Sequence, residues 1–159
     1  RVFAQRHHSG SQAVSPRVAL MLGREAELGM ATSAYYRGFQ AAADKVKDDF
    51  VGFLLRAKSE HKSVAAYGAA AKGNTLMNYA GVRPDLISFV VDRNPAKQGK
   101  YMPGSRIPIV DESRLESERP HFVVILPWNL RAEVRQQLEH AGTWGARFVT
   151  AVPRLEVAQ

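Results

Sequence analysis

Apolar side chains follow a helical period through the first part of the chain. Between positions 32 and 62 they recur every three or four residues, while Lys45, Lys47, Asp48 and Asp49 occupy the other side. This pattern predicts one long amphipathic helix, with Thr32 and Ser33 as candidate N-caps. A short helix is predicted over 23–29 and a strand over 1–6. Residues 6–18, rich in Ser, His, Gly and Pro, are predicted to be a loop or linker. The apolar stripe of the long helix consists of Tyr36, Phe39, Ala43, Val46, Phe50, Phe53 and Leu54.

From position 63 onward, short apolar runs alternate with helical segments. The runs predict strands over 63–68, 86–92, 106–110, 121–127 and 146–153. The segments between them predict helices over 73–81, 111–117 and 129–142. Such alternation is typical of a parallel sheet covered by helices on both faces. The predicted fold class is therefore α/β: a Rossmann-like three-layer domain with a mostly parallel sheet, preceded by a long amphipathic helix.

Length, composition and charge narrow the function classes. The 159 residues suit one domain with a helical extension, and no apolar run approaches the length of a membrane span. The chain has no cysteine, which excludes disulfides and thiolate metal sites within it and fits a cytoplasmic protein. Its net charge of +7 favours an anionic partner, but no basic patch interleaved with aromatics points to nucleic acid. Since the chain opens without an initiator Met, we expect it to be part of a longer protein.

The candidate chemistry lies where the predicted strands end, because ligands of open parallel sheets bind at the carboxyl edge. The first strand runs into "YGAAAKGNT" (67–75), where Gly68 permits a tight turn and small residues leave the backbone open to close approach. The following helix directs its free amides to the same crevice, and Lys72 adds a positive charge. We expect an anion-binding turn. The candidate binding residues are Gly68, Lys72, Gly73, Asn74, Asp92, Arg93 and Trp128.

Standard nucleotide motifs match this turn only in part. A phosphate-binding loop of the G-x-x-x-x-G-K-[ST] type requires Lys after its second Gly, and here that position is Asn74. The dinucleotide pattern G-x-G-x-x-G lacks its middle glycine, because position 70 is Ala, although Asp92 follows Gly68 at about the required distance. An NTPase is therefore rejected, and an NAD site is weakly supported. A third interpretation is that Gly68 and Gly73 serve only strand–helix packing.

Candidates for catalysis and metal binding are few. The five histidines are not paired in sequence with a Ser nucleophile or a carboxylate, and no spacing suggests metal ligands. We predict no catalytic and no metal-binding residue in this chain. The histidines are His7, His8, His61, His121 and His140.

Three blocks of sequence resemble a known family. "YGAAAKGNTLMNYAG", "VVDRNPAKQGKYMPGSRIPI" and "LPWN", in this order, are similar to the C-terminal domain of the S-adenosylmethionine-dependent sugar C-methyltransferases, which act on nucleotide-linked deoxysugars. The resemblance implies a zinc-binding module, then a methyltransferase domain that binds the methyl donor and carries the catalytic residues, then this domain. S-adenosylmethionine would thus be bound by the missing upstream domain, and no cofactor is expected here. The family loop usually has Pro where this chain has Ala70.

The resemblance also implies a domain layout and partners. Residues 1–18 would be the end of the upstream methyltransferase domain and a linker, 19–62 a helical segment, and 63–159 the Rossmann-like C-terminal domain. The expected partners are a nucleotide-sugar substrate and the upstream methyltransferase domain of the same chain, with no nucleic acid and no membrane. Two alternatives stay open: an NAD(P)- or nucleotide-binding Rossmann module, and a scaffold or dimerisation domain with a vestigial pocket.

Overall fold

The computed structural model describes residues 3–8 and 10–158. The chain forms two compact units, one up to Ala41 and one from Ala42 onward. The first unit contains helix α1 (Pro16–Glu27) and the short helix α2 (Ser33–Tyr36), and none of its described residues is buried. The long helix α3 (Phe39–Ser59) continues into the second unit, which holds the sheet.

Four predictions for the N-terminal part of the chain need correction. The strand predicted over 1–6 is absent from residues 3–6, and its first two residues lie outside the described part of the chain. The predicted loop over 6–18 ends at Ser15, because Ser15 caps the amide of Arg17 and Pro16 suits the first position of a helix. Helix α1 therefore begins before the predicted range of 23–29. Thr32 does precede a helix, but α2 ends before Gly38, a poor helix former, and α3 begins after it.

Six strands form one sheet in the order β3-β2-β1-β4-β5-β6. Four neighbouring pairs are parallel, and the fifth, β5 with β6, is antiparallel. The predicted α/β class and mostly parallel sheet are thus confirmed, whereas β6 was not predicted. The strands are β1 (Val64–Tyr67), β2 (Val90–Val91), β3 (Ile109–Val110), β4 (Phe122–Ile125), β5 (Arg147–Thr150) and β6 (Glu156–Ala158).

The sheet carries an apolar core on each face, as the pleat of β1 shows. Val64 and Ala66 point to one cluster, where α3 and α4 (Ala71–Tyr79) contribute Phe50, Leu54 and Met77. Ala65 and Tyr67 point to the opposite cluster, which contains side chains of α5 (Ser113–Glu118) and α6 (Arg131–Gln137). This two-sided burial explains why β1 and β4 read as continuous apolar runs.

Several predicted elements are shorter than expected. The strand predicted over 106–110 is reduced to β3 because Arg106 has a φ of 58°, outside the extended region. Only two residues of the run 86–92 form β2, although the amide of Ser88 and the carbonyl of Phe89 still bond to β1. The helix predicted over 129–142 is divided into a 3₁₀ turn (Trp128–Leu130), α6 and a second 3₁₀ segment (Glu139–Trp144).

Candidate functional site

The candidate site lies at the carboxyl edge of the sheet, around the ends of β1 and β4. From β1 the chain proceeds to β2 and β3, and it then returns to place β4 on the other side of β1. The direction of winding therefore reverses between β1 and β4. In open α/β sheets such a reversal leaves a crevice between the two following loops, and ligands bind there.

Two glycines bring the turn after β1 and the start of α4 against the end of β4. Gly68 has a φ of 88°, and a Cβ atom at this position would lie 2.6 Å from Cδ of Pro127. A Cβ atom on Gly73 would lie 2.5 Å from Cβ of Leu126. Both distances are too short for a side chain, so close packing accounts for both glycines without a ligand. The same packing sets the floor of the crevice.

Asp92 directly follows β2, and its carboxylate reaches the neighbouring turn after β1. It accepts hydrogen bonds from the amides of Ala69 and Asn94, both at 2.8 Å, and from Nζ of Lys97 at 2.9 Å. Burial raises the pKa of Asp92, but the hydrogen bonds from Asn94, Lys97 and Ala69 outweigh it and hold the pKa below its ordinary value. The expectation of open amides is therefore wrong for Ala69, and also for Ala70, whose amide bonds to the carbonyl of Gly68 at 2.7 Å.

Lys72 extends across the crevice to the segment after β4. Its Nζ donates to Oδ1 of Asn129 and lies 4.5 Å from the centroid of the Trp128 ring. Both of these partners are neutral side chains. Trp128 is half-buried and packs against the core cluster that contains α3 and α4. A cation over an aromatic ring at the winding reversal is a candidate place for an anionic ligand.

The two remaining predicted residues, Asn74 and Arg93, lie on different elements and have different surroundings. Asn74 lies in the first turns of α4, and its Oδ1 is buried without a hydrogen-bond partner among the described residues. Arg93 follows β2 and pairs through Nε with Glu112 at 2.7 Å, which raises the pKa of Arg93. The structure thus places Gly68, Lys72, Gly73 and Trp128 around the β1–β4 crevice, and Asn74 follows Gly73 on α4. Asp92 is connected to this group by its hydrogen bond from the amide of Ala69, and Arg93 forms its ion pair with Glu112, next to α5.

A cleft of about 550 Å³ opens beside Trp128, between the segments that follow β4 and β5. We call it the carboxyl-edge cleft. Glu156 accepts hydrogen bonds there from Arg131 (2.7 Å) and Arg154 (3.1 Å). Sequence reasoning missed these three residues, because it placed Arg131 inside a regular helix and ended the last strand before Arg154. The cleft is lined by Trp128, Asn129, Arg131, Val152, Pro153, Arg154 and Glu156.

Other side chains with potential chemistry lie elsewhere. His121 precedes β4, at the amino edge of the sheet, where its Nδ1 lies 2.9 Å from Oγ of Ser63 and 3.1 Å from the amide of Ser63. Within residues 3–8 and 10–158, no three His, Asp or Glu side chains come together as metal ligands would. Over the same residues, no helix combines the length and apolar character needed to cross a bilayer.

Comparison with known proteins adds an independent finding. The sequence model of a family described as "C-methyltransferase C-terminal domain" matches residues 1–153. The C-methyltransferase NovU of Streptomyces niveus is 33% identical over 144 residues, which cover 91% of this chain and 34% of NovU. The chain therefore spans about a third of the length of this relative.

Proposed function

Because this chain belongs to the family of C-methyltransferase C-terminal domains, we propose that it helps to hold a nucleotide-linked sugar for methylation. Its role is to bind and orient the substrate at the carboxyl edge, and the chemistry is carried out by an upstream methyltransferase domain. We propose the layout given by the resemblance: the end of that domain and a linker over 1–18, a helical segment over 19–62 and the Rossmann-like domain over 63–159. The proposal includes a cytoplasmic location.

The position of Lys72 is the observation that supports substrate binding most directly. Its ammonium lies at the winding reversal of the sheet, and its contacts are an amide oxygen and an indole ring. Neither contact neutralises the charge, so this ammonium is available to a ligand that carries phosphate. Gly68, Gly73, Asn74 and Trp128 surround it in this proposal, while Asp92 and Arg93 form the outer side of the crevice.

The methyl donor is not expected to bind at the turn after β1. In dinucleotide-binding folds an acidic residue after the second strand accepts hydrogen bonds from a ribose. Asp92 has this position, but both its carboxylate oxygens already accept protein hydrogen bonds. The spaces that Gly68 and Gly73 would leave for a cofactor are taken by Pro127 and Leu126. The residues of this chain therefore do not fit S-adenosylmethionine, and we propose that the upstream domain binds it.

An NMR titration tests this proposal. Thymidine diphosphate glucose, added to the isotope-labelled chain, is expected to shift the amide signals of residues 72–75 and the indole N–H signal of Trp128. Lys72→Met should weaken binding about tenfold, because it removes one charge-assisted contact. Lys100→Met removes the same charge at an exposed position after β2 and serves as the matched control. Its affinity should stay within twofold of the unmodified chain.

The same titration separates the alternatives. Shifts with NAD but not with the nucleotide-sugar would replace the proposal by a dinucleotide-binding module. An absence of shifts with either ligand at millimolar concentration would leave a scaffold or dimerisation domain. Equal affinities of the Lys72→Met and Lys100→Met variants would remove Lys72 from the site.

A further inference from the structure

Helix α1 has apolar side chains on more than one side. Val18, Leu22 and Ala26 are spaced four residues apart and form a stripe along the helix. Leu20 and Met21 directly precede Leu22, and successive residues of an α-helix are rotated by about 100°, so these two side chains lie outside the stripe. A surface helix has one apolar stripe, whereas apolar side chains on several sides are typical of a helix that its neighbours bury.

The structure leaves these side chains uncovered. Leu20 is 73% exposed, Leu22 is 60% exposed and Met21 is 58% exposed. No residue of α1 is buried, whereas α3 and α4, the other helices of more than eight residues in the described part of the chain, both contribute buried side chains. Helix α1 therefore has the composition of a buried helix but lacks the surface that would bury it.

Local signals define both ends of α1. Ser15 precedes the helix, and its hydroxyl accepts a hydrogen bond from the amide of Arg17 at 3.3 Å. At the other end Gly29 has a φ of 71°, and the amide of Met30 donates to the carbonyl of Glu25 at 3.0 Å, which is the bond that closes many helices after a left-handed glycine. These signals set the bounds of the helix, but an isolated helix of this length is only marginally stable in water. A surface that packs against α1 is therefore needed to hold it.

The family match indicates which surface this is. The model of C-methyltransferase C-terminal domains covers residues 1–153, so α1 belongs to the region that the family shares. This chain spans 34% of NovU, and because the shared region is described as a C-terminal domain, most of the remainder of such an enzyme precedes it. Residues 1–15 precede α1, and a segment of this length spans at most about 50 Å. A domain joined to this segment has a high effective concentration at α1, which a separate molecule lacks.

The α1 apolar surface consists of the exposed side chains of Val18, Leu20, Met21, Leu22 and Leu28. We propose that the upstream methyltransferase domain covers this surface. Because the side chains lie on several sides of the helix, the contact is a groove that surrounds α1. This inference rests on the proposed function, which supplies the upstream domain, and it adds the surface that the two domains share. The methyl donor and the sugar are then bound by different domains, and a fixed α1 keeps the two reactants within reach of each other.

Hydrogen–deuterium exchange tests this contact in two proteins: the whole enzyme, with its upstream domain, and the 159-residue chain. In the 159-residue chain the amides of α1 should exchange nearly as fast as those of an unfolded peptide, because no side chain of the helix is buried. In the whole enzyme their exchange should be at least about tenfold slower. Peptides from β1 and β4 serve as the internal reference and should exchange alike in both proteins, since the sheet domain already buries these strands.

A charge placed on the α1 apolar surface tests the same contact by mutation. Leu22→Glu should accelerate the exchange of α1 at least about tenfold in the whole enzyme, because it puts a carboxylate into an apolar contact. In the 159-residue chain the same substitution should leave the midpoint of urea denaturation unchanged, since Leu22 is exposed there, and this result excludes a general failure to fold. Leu55→Glu is the matched control, because Leu55 is 52% exposed on α3. It should leave the exchange of α1 in the whole enzyme within about twofold of the unmodified value.

Three results would overturn the proposal. Equally fast exchange of α1 in both proteins would mean that nothing upstream covers the helix. Slow exchange in the 159-residue chain that becomes fast on dilution would mean that a second copy covers it, and sedimentation velocity would then detect a dimer. Slow exchange in that chain at every concentration would mean that the chain covers its own helix.

The proposed function and this contact fail in different ways. Suppose that thymidine diphosphate glucose binds with the expected dependence on Lys72, but that α1 exchanges equally fast in both proteins. The proposed function would then stand and the contact would be wrong. If α1 is protected in the whole enzyme but the nucleotide-sugar does not bind to the 159-residue chain, the contact would stand and the proposed role in substrate binding would be wrong.

Discussion

Gly68 is the residue at which backbone conformation and packing impose the same requirement. Its φ of 88° is unfavourable for any residue with a side chain, and Pro127 fills the place of a Cβ atom. Gly68→Ala should therefore lower the free energy of unfolding by about 2–5 kcal/mol, from backbone strain and overpacking together. Urea denaturation measures this change. Gly142→Ala is the control, because nothing lies within 4 Å of its Cβ position, and it should change stability by less than about 0.5 kcal/mol. Equal effects of the two substitutions would refute this account.

Asp92 is a second residue with a structural role, because its carboxylate bonds two neighbouring loops. Its side chain is 11% exposed and joins the turn after β1 to the segment after β2. Asp92→Asn should lower the free energy of unfolding by roughly 1–3 kcal/mol at pH 7, because it leaves the amides and Lys97 with a weaker acceptor. Asp48→Asn, at an exposed position of α3, is the matched control and should change it by less than about 0.5 kcal/mol.

The pH dependence of this difference has a definite sign. The pKa of Asp92 is lowered in the folded state, so its contribution is fully present above its unfolded pKa and is lost as the pH falls through the lower folded value. The gap between the unmodified chain and Asp92→Asn should therefore narrow from pH 7 to pH 3 in urea denaturation. A gap of constant size over this range would show that the charge of Asp92 does not contribute.

At the scale of elements, the sequence predicts what local pattern determines. Four-residue apolar runs such as β1 and β4 are recognisable because both faces of the sheet bury them, and the stripe of α3 is recognisable because its spacing is helical. These elements, in their order, were sufficient to predict the α/β class and to place Gly68, Lys72 and Trp128 near one edge.

The elements that were missed depend on contacts between distant residues. Strand β6 has three half-buried residues and no distinctive pattern, and it forms through pairing with β5. The left-handed conformation of Arg106 shortens β3 and has no local signal in the sequence. The carboxyl-edge cleft follows from β6, because Glu156 brings Arg131 and Arg154 together. A site built from three segments in this way could not be predicted from spacing alone.

At the scale of the whole molecule, burial is concentrated in the second unit. The buried core begins at Phe50, and both apolar clusters are formed by residues after Ala42. The described residues of the first unit include exposed apolar side chains on α1, such as Leu20, Met21 and Leu22, but none that is buried. The folding free energy of the sheet domain should therefore come from the second unit alone, since burial of apolar surface is the main stabilising contribution.

A fragment that comprises residues 42–159 tests this distribution. Its free energy of unfolding should lie within about 0.5 kcal/mol of that of the whole chain, because the deletion removes no buried side chain. A second fragment, residues 1–153, loses β6 and with it Leu155 and Val157, which pack against the core cluster of α3 and α4. Its free energy of unfolding should fall by roughly 2 kcal/mol or more. Both values can be measured by urea denaturation monitored by circular dichroism. A large loss of stability in the first fragment would mean that the first unit contributes to the fold of the sheet domain despite its exposure.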